Sequence, residues 1–363
     1  MRIAILINDG KFLYNLRREI IQEILSQGHS VFVIVAQSDY DQKLVELGCE
    51  VTNVEIDRRG TSIRKDLKLY RNYKSHLKRI KPDCVITYAI KSNIYGNLAA
   101  KKLGIRSICN ITGLGSAFYS DSLTFRIVKR LYKIALRKTS RVFVQNQDDA
   151  RALLKYKIIN EKQLRMLPGS GVNLERFRFE PLPPKGSPMV FNFIGRVMKE
   201  KGIEEFIAAA KEINAQKIIA TFNIIGFIEE EKYEQIVREN ERFGVYYLGE
   251  ANDIQEYIRH SICTVLPSYH EGMSNVLLES AAMGRPLIAT DVCGCKEAIH
   301  DGVNGFLVKK QDTHSLVEAI RKVLVSDYAA LAEMGKASRQ LAESEFDRKI
   351  VTTKIINAIN CRE

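Results

Sequence analysis

Two carboxylates eight positions apart, Glu271 and Glu279, flank the start of a predicted helix. The apolar run 262–266 predicts a short strand, and the helix that follows should run to about Met283. A helix N-terminus carries unpaired N–H donors and the positive end of the helix dipole, so the backbone of 272–275 should attract an anion. Carboxylates accept hydrogen bonds from hydroxyl groups. The segment therefore predicts a site for a ligand that carries both phosphate and hydroxyl groups.

Two cations follow another predicted strand, 189–194. Arg196 and Lys201 lie in the turn after it, and ligands of open α/β sheets bind beyond the carboxyl ends of the strands. Arginine offers a planar fork to phosphate oxygens and lysine offers a point charge, so both side chains are suited to holding a diphosphate. The alternative is that they are surface cations of a basic protein, which is our interpretation of Lys199.

The spacing of the two carboxylates is not specific by itself, because Glu is common on solvated helix faces. Its context is more specific, since Pro-Ser-Tyr-His-Glu-Gly follows the strand and Gly-Arg-Pro ends the helix. Segment 267–286 resembles the donor-site signature of the GT4 family of retaining glycosyltransferases, and 195–202 matches the Gly-Arg-x-x-x-x-Lys-Gly pattern of that family. The likeness continues through 289–299 and 301–308 and covers nearly the whole chain.

This resemblance implies an α/β fold of the GT-B type, in which two Rossmann-like doubly wound domains face a central cleft and the C-terminal helix crosses back to the first domain. It implies that Glu279 binds the ribose hydroxyls of a nucleotide sugar and that Glu271 lies near the donor sugar. Arg196 and Lys201 would bind the diphosphate and, with Glu271, form the candidate catalytic set. The candidate donor-binding residues are Gly10, Arg196, Lys201, Gly249, Glu271, Gly272, Met273, Ser274, Asn275 and Glu279.

Members of this family need no metal ion and no cofactor besides the nucleotide sugar, and the resemblance implies the same here. The expected reaction is front-side attack by an acceptor hydroxyl on the anomeric carbon as the diphosphate leaves. Two positions depart from the family pattern. Loop 110–116 has no His where many members carry one, and the first strand is followed by Asp9-Gly10-Lys11 instead of paired glycines. The departing diphosphate is then the candidate acceptor of the proton.

Alternating apolar strands and amphipathic helices predict two open α/β domains. The first strand is apolar throughout, as expected in a parallel sheet that is covered on both faces. The stretch 174–188 holds four prolines and predicts a linker. We therefore place an acceptor- and membrane-binding domain at 1–170, a linker at 171–188 and a nucleotide-sugar-binding domain at 189–345, with 346–363 returning to the first domain.

Charge is divided unevenly along the chain. Residues 1–166 contain 31 Lys and Arg against 15 Asp and Glu, a net +16, and the remainder carries −4. Two predicted helices, 63–81 and 124–141, are rich in basic residues. Ordinary packing helices with a solvated basic face would show the same pattern, but their occurrence in one half favours an anionic lipid surface, to which each basic residue adds roughly 1 kcal/mol. No apolar run reaches the roughly 18 residues of a membrane span, so we expect a cytoplasmic protein bound peripherally at the inner face of the membrane.

Several N-terminal segments narrow the resemblance to a subgroup of the family. Val31-Phe-Val-Ile-Val35, Lys91-Ser-Asn93 and Thr112-Gly-Leu-Gly-Ser116 are similar to the enzymes that add N-acetylgalactosamine to bacillosamine on undecaprenyl diphosphate. An anionic lipid acceptor of this kind agrees with the basic first half. The candidate residues for its diphosphate are Lys11, Arg58, Arg59 and Lys91.

The sequence thus favours a retaining glycosyltransferase that moves a sugar, such as N-acetylgalactosamine, from a UDP-sugar to a polyprenyl-diphosphate-linked glycan in bacterial polysaccharide biosynthesis. Its partners would be the UDP-sugar, the lipid-linked acceptor and an anionic membrane surface. One alternative keeps the fold: a UDP-N-acetylglucosamine 2-epimerase, against which the context of Glu271 and Glu279 argues. A second alternative, a basic nucleic-acid-binding protein, lacks a recognisable binding module, and we expect no nucleic-acid partner.

Overall fold

The structure is a computed structural model that describes residues 1–57, 60, 62–114, 118, 123–216, 220–251 and 253–360, with the backbone alone at 123 and 124. The chain forms two compact units, Met1–Ser170 with Lys349–Glu363 and Gly171–Arg348. Each unit contains one parallel sheet, and most consecutive strands are connected through helices. Both units therefore have the doubly wound α/β architecture that the sequence predicts.

The described part of the first unit is built on a sheet of seven parallel strands. They are β1 (Arg2–Leu6), β2 (Ser30–Val35), β3 (Glu50–Asn53), β4 (Cys84–Tyr88), β5 (Arg106–Ile111), β6 (Arg141–Val144) and β7 (Leu164–Met166). Their order across the sheet is β3-β2-β1-β4-β5-β6-β7. Almost every side chain of β1, β2 and β4 is buried, which explains why these segments are continuous apolar runs in the sequence.

Among the described residues, six α-helices connect these strands. They are α1 (Gly10–Ser26), α2 (Asp41–Glu46), α3 (Ile63–Ile80), α4 (Asn97–Leu103), α5 (Leu123–Leu136) and α6 (Gln147–Lys155). A π-helical turn, Ser92–Gly96, leads directly into α4. The start of α1 is fixed by Asp9, whose carboxylate accepts a hydrogen bond of 3.0 Å from the N–H of Phe12.

In the part of the second unit that the structure describes, six parallel strands and six α-helices occur. The strands are β8 (Met189–Ile194), β9 (Ala220–Ile225), β10 (Val245–Tyr247), β11 (Cys263–Leu266), β12 (Leu287–Thr290) and β13 (Gly305–Val308), in the order β10-β9-β8-β11-β12-β13. The helices are α7 (Ile203–Ala215), α8 (Lys232–Arg238), α9 (Gln255–Arg259), α10 (Asn275–Ala282), α11 (Thr313–Val325) and α12 (Tyr328–Glu345).

Each sheet contains one point at which the strand order reverses. In the first sheet this point lies between β1 and β4, and in the second it lies between β8 and β11. At such a switch point the loops that follow the two neighbouring strands diverge and leave a crevice at their carboxyl ends, where ligands of open α/β sheets bind. The loops after β8 and β11 carry Lys201 and Glu271; Lys11 lies at the start of α1, which follows β1, and Lys91 follows β4.

The last helix, α13 (Arg348–Ile359), packs on the first unit. Val351, Ile355 and Ile359 are buried in the apolar core around β1, β2 and β4. The guanidinium of Arg106 donates a hydrogen bond of 2.9 Å to the carbonyl oxygen of Ala358. The predicted return of the C-terminal helix to the first domain is confirmed.

Residues 171–188, expected to form a linker, belong to the second unit, and Phe177 is buried in its core. The buried guanidinium of Arg285 fixes the middle of this stretch. It donates hydrogen bonds to the carbonyl oxygens of Glu180 at 2.8 Å and Pro181 at 3.1 Å, and it also donates to carbonyl groups at the end of α9. The Pro-rich composition therefore belongs to an ordered strap and not to a free segment.

We predict that Arg285→Lys destabilises the second unit by about 2–4 kcal/mol, because an ammonium group cannot donate to all the carbonyl groups that the guanidinium reaches, and buried acceptors left unpaired are costly. Calorimetric unfolding measures the change. The matched control is Arg259→Lys, whose side chain is 44% exposed and forms surface ion pairs, which contribute less than about 1 kcal/mol. Equal losses in the two variants would contradict the role given to Arg285.

Candidate functional site

The loop after β11 places Glu271 beside Lys201. The ammonium of Lys201 forms an ion pair with Oε1 of Glu271, and the hydroxyl of Ser268 donates to the same oxygen at 2.7 Å. The side chains of Lys201 and Glu271 are only 18% and 12% exposed, so water screens their attraction weakly. Two residues that are 70 positions apart in the chain thus form one compact charged centre.

Two glycines allow the backbone to close around this centre. Gly202 (φ 75°) lies so close to the loop after β11 that a Cβ there would overlap the carbonyl oxygen of Pro267. Gly294 (φ 86°) approaches the backbone of Glu271 in the same way. Both glycines also have a left-handed backbone conformation, which a side chain would strain. Any larger residue at either position would push the loops of Lys201 and Glu271 apart.

Helix α10 begins at Asn275, so only the last residue of the predicted anion-binding segment 272–275 belongs to the helix. Its N-cap is Ser274, whose own N–H donates to the carbonyl oxygen of Gly294 at 2.8 Å. The expectation that this N–H is free is therefore wrong, because the loop after β12 already uses it. In the part of the chain that the structure describes, the N–H groups of Asn275 and Val276 find no acceptor. These two donors are the ones that α10 offers to an anion.

Asn275 also carries an unsatisfied side-chain group. Its amide oxygen Oδ1 is buried and has no hydrogen-bond partner among the described residues. Buried polar atoms are nearly always paired, so an unpaired one at a helix N-terminus marks a place where a ligand can complete the hydrogen bonding. Gly272 and Met273 form the approach to this helix, and Met273 is buried in the core of the second unit.

Glu279 lies one turn further along α10 and differs from Glu271 in its electrostatics. Burial raises the pKa of the Glu279 carboxyl to about 7, and the positive charges of Arg348 and Arg176 offset part of that rise. Glu271 instead has the ammonium of Lys201 as a direct partner. Glu271 and Glu279 therefore differ in their electrostatics. Glu271 forms an ion pair, whereas Glu279 has a pKa of about 7.

Arg196 follows β8 as predicted but points to a different partner. Its guanidinium pairs with Glu229 at 3.5 Å, and its side chain is 54% exposed. Glu229 comes from the loop after β9, the strand next to β8. Both cations expected at a diphosphate, Arg196 and Lys201, thus have carboxylate partners in this structure. An anion that binds here would either displace these carboxylates from the two cations or share the cations with them.

Gly249 follows β10 by two residues, at the carboxyl ends of the strands. It has a left-handed backbone (φ 77°), and its carbonyl oxygen accepts the N–H of Gly226 at 2.8 Å. No described atom lies within 4 Å of the position that a Cβ would take. The space beside Gly249 is therefore open, as a flat ring that approaches the backbone would need.

The remaining candidates belong to the first unit. Gly10 opens α1, and a Cβ there would lie 2.6 Å from the hydroxyl of Ser38. Lys91 forms an ion pair of 2.7 Å with Asp66. Lys11 lies one residue into α1, and Arg58 and Arg59 lie outside the described residues. The structure thus places Gly10, Lys11 and Lys91 at the switch point of the first sheet.

Sequence reasoning missed three residues that shape the site. Ser268 orients Glu271, Glu229 pairs with Arg196, and Glu205 accepts a hydrogen bond of 2.7 Å from the phenol of Tyr269. Ser268 had a local signal, since it stands three residues before Glu271 at a strand end. The other two contacts join distant segments and carry no local signal. Within the described ranges no group of three or more metal-ligating side chains occurs, and metal independence stays a prediction.

Comparison with known families assigns both units. A model described as "Glycosyl transferase 4-like" matches residues 2–146, and one described as "Glycosyl transferases group 1" matches residues 188–326. Together they match well over half of the chain. The second match contains the loops of Arg196, Lys201 and Glu271, whose geometry is described above.

Individual relatives agree with this assignment. The chain is 29% identical to the N,N'-diacetylbacillosaminyl-diphospho-undecaprenol alpha-1,3-N-acetylgalactosaminyltransferase of Campylobacter jejuni, over 98% of this chain and 97% of the relative. It is 29% identical to the UDP-Gal:alpha-D-GlcNAc-diphosphoundecaprenol alpha-1,3-galactosyltransferase of Escherichia coli, over 80% and 78%.

Among solved structures, Alr3699/HepE of Anabaena in complex with UDP and glucose superposes with a TM-score of 0.80 at 16% identity, over 99% of this chain and 100% of that one. At this identity the likeness concerns the fold, which is the one implied by the sequence. The fold, the two family matches and the full-length relatives lead to one conclusion: the chain belongs to the glycosyltransferases with the GT-B fold.

Proposed function

We propose that the protein moves a sugar from a UDP-sugar to a glycan carried on polyprenyl diphosphate, with retention of configuration, in bacterial polysaccharide biosynthesis. The observation that carries the proposal is the pair of relatives above, because both are named for extending a sugar on diphosphoundecaprenol and both align over most of this chain. An N-acetylhexosamine such as N-acetylgalactosamine is the proposed sugar, on the strength of the relative that aligns over nearly the full length.

The donor would bind the second unit at its switch point. Glu279 accepts hydrogen bonds from the ribose hydroxyls, and the open space at Gly249 takes the base. The diphosphate lies against the N–H groups of Asn275 and Val276, which have no acceptor among the described residues and are the donors that α10 offers to an anion. Supporting this placement, an unpaired amide oxygen and unpaired N–H donors occur at the same helix end.

The ion pair of Lys201 and Glu271 would be shared with the donor. A nucleotide sugar carries its diphosphate and its sugar hydroxyls on adjacent atoms, so Lys201 can turn to the phosphate while Glu271 accepts a sugar hydroxyl. Arg196, paired with Glu229 in this structure, is exposed enough to swing toward the same diphosphate. Cations that gain charge contacts as the leaving group forms stabilise the transition state more than the ground state.

The transfer itself needs no protein nucleophile in this proposal. An acceptor hydroxyl attacks the anomeric carbon from the side on which the diphosphate leaves, the C–O bond to the phosphate breaks, and the hydroxyl proton passes to the departing diphosphate oxygen. The positive groups take the role that a metal ion would have in neutralising that diphosphate, so no metal ion or cofactor is proposed. The chain's own contribution is to hold the donor and to stabilise the leaving charge.

The acceptor would bind the first unit, where Lys11 and Lys91 lie at the switch point and the net charge is positive. Among the described helices, none has the length and apolar character of a membrane span. We therefore propose peripheral binding to the inner face of the membrane through the basic surface of α5.

The epimerase alternative gains no support, since the relatives that align over most of the chain are named as transferases, and we propose no nucleic-acid partner.

The decisive experiment offers the protein a panel of UDP-sugars with polyprenyl-diphosphate glycans and reads the product mass. We expect one UDP-N-acetylhexosamine or UDP-hexose to extend the lipid-linked glycan, and Glu271→Gln to slow transfer by about 10²–10³-fold because the charged centre with Lys201 is lost. The matched control is Glu241→Gln, an exposed glutamate of the same unit, which should transfer normally. Epimerised or hydrolysed UDP-sugar without a glycan product would contradict the proposal.

The raised pKa of Glu279 predicts how UDP binding depends on pH. Ribose hydroxyls donate to the ionised carboxylate, so binding requires loss of the proton that Glu279 holds below a pKa of about 7. UDP affinity should therefore rise by about tenfold between pH 6 and pH 8. The measurement is isothermal titration calorimetry on the wild-type chain and on Glu279→Gln.

The terminal phosphate of UDP also titrates, with a pKa near 6, whichever protein is measured. The Glu279→Gln variant controls for its contribution to the pH dependence of binding. Its affinity should change less with pH than that of the wild type, because the amide does not titrate. Parallel pH profiles would remove the ribose role from Glu279.

The basic face of α5 predicts electrostatic binding to membranes. Replacing Arg126, Arg130, Lys133 and Arg137 by Gln should reduce sedimentation with phosphatidylglycerol vesicles by at least about tenfold, since each basic residue near an anionic surface contributes roughly 1 kcal/mol. Lys129 is left unchanged because its ammonium lies 3.4 Å from the ring centre of Phe125 and so has a packing role. The control replaces four exposed cations of the second unit, Arg238, Lys309, Lys322 and Lys336. Equal losses in both variants would argue against a specific membrane-binding face.

A further inference from the structure

A groove crosses the helical surface of the first unit. It runs between α3, the π-helical turn with α4, and α5, and its volume is about 840 Å³. Side chains from all three elements line it, among them Leu67 of α3, Leu98 of α4 and Leu131 of α5. This volume lies within the range of small-molecule sites, which are concave and mostly apolar.

The groove exposes apolar side chains that a folded protein normally covers. Ile63 is 83% exposed, Ile127 54%, Leu67 45% and Ile90 41%, and all four line the groove. Single exposed apolar residues are common, but a contiguous apolar surface indicates a binding site. Since the residues come from three separate elements, the exposed surface is a property of the fold and not of one amphipathic helix.

Charge restricts what the groove can hold. Among the described residues, the charged side chains that line it are four lysines, Lys91, Lys101, Lys102 and Lys138, and one acid, Asp66. The Asp66 carboxylate is already satisfied, because the ammonium of Lys91 and the phenol of Tyr95 bond to its two oxygens at 2.7 and 2.8 Å. An apolar floor with a net positive rim complements an amphiphile that has a long apolar tail and an anionic group.

The position of the groove in the fold points to one such amphiphile. Ile90 and Lys91 follow β4 directly, so one end of the groove lies at the switch point of the first sheet, where the acceptor diphosphate is proposed to bind. Lys102 and Lys138 mark the other end of the groove. They lie at or just after the C-terminal ends of α4 and α5, which lead back into β5 and β6. The groove thus runs from the switch point, at the carboxyl ends of the strands, along the helices toward the amino ends of the strands.

We propose that this groove holds the first isoprene units of the polyprenyl chain of the acceptor, with the diphosphate at the Lys91 end. The inference rests on the proposed function and adds to it the site of the lipid tail. The concave shape favours an enclosed chain over a bilayer, because side chains that insert into a bilayer stand on a convex surface, whereas Leu98 and Leu131 line a recess. The lysines at the far end lie where the rest of the chain would leave the groove.

The test measures binding without membranes and without transfer. A fluorescent anthraniloyl derivative of geranylgeranyl diphosphate is titrated into the full chain in buffer free of vesicles and micelles. The double variant Leu67→Ser with Ile127→Ser should bind it about tenfold more weakly, since two exposed side chains that would contact the apolar tail are removed. Competition by farnesyl diphosphate should be stronger than competition by isopentenyl diphosphate in the wild type, and this difference should shrink in the variant.

The matched control is Val45→Ser with Ile134→Ser, two exposed apolar positions of the same unit (49% and 44%) that do not line the groove. It should bind the probe as the wild type does. Equal affinity of the groove variant and the control would overturn the proposal. So would a groove variant that loses phosphatidylglycerol vesicle binding but keeps its affinity for the probe, because the surface would then serve the bilayer only.

Transfer assays separate this proposal from the proposed function. If the protein glycosylates polyprenyl-diphosphate glycans with a KM that does not depend on chain length, the enzyme assignment stands and the groove proposal is overturned. If probe binding depends on the groove but no sugar is transferred to any lipid-linked glycan, the groove proposal is supported and the proposed reaction is wrong.

Discussion

The ion pair between Lys201 and Glu271 joins the two loops on which the candidate donor site depends. It forms because β8 and β11 are neighbours at the point where the strand order reverses, although 68 residues separate the end of one from the start of the other in the sequence. The pair also requires the close backbone approach that Gly202 and Gly294 permit. Strand order, loop closure and electrostatics are therefore linked, and a change in any one of them would displace the charged centre.

The sequence predicts the elements better than it predicts their partners. Continuous apolar strands have strong local signals, and the observed sheets agree with them. The contact of Arg196 with Glu229 depends on β9 lying next to β8, which no local pattern encodes. The hydrogen bond from the Ser274 N–H to the carbonyl oxygen of Gly294 also joins two separate loops, and no local pattern predicts it. The strap around Glu180 looked like a linker because its prolines indicate only a lack of helix, whereas Arg285 determines that it is fixed.

The charge of residues 1–166 is less available than their net value of +16 indicates. Lys91 is paired with Asp66, Lys129 lies over the rings of Phe125 and Tyr156, and Lys101 donates to the carbonyl oxygen of Ile134 at 2.9 Å. These cations shape the surface around α3, α4 and α5 instead of projecting freely into solvent. A protein that binds an amphiphile needs this combination, since fixed cations can orient an anionic group beside an apolar surface without covering that surface.

The two acids of the donor site solve different parts of one electrostatic problem. A nucleotide diphosphate brings negative charge to a site that already holds Glu271, and the partnership with Lys201 keeps that carboxylate from repelling it. Among the described residues none forms an ion pair with Glu279, which is instead shielded from water; this burial raises its pKa to about 7 and lets a proton neutralise it before a ligand binds. Hydroxyl donors from a ligand would replace that proton, because they stabilise the ionised form. Burial without a full ion pair is thus what makes Glu279 responsive to a ligand, whereas Glu271 is already compensated before one arrives.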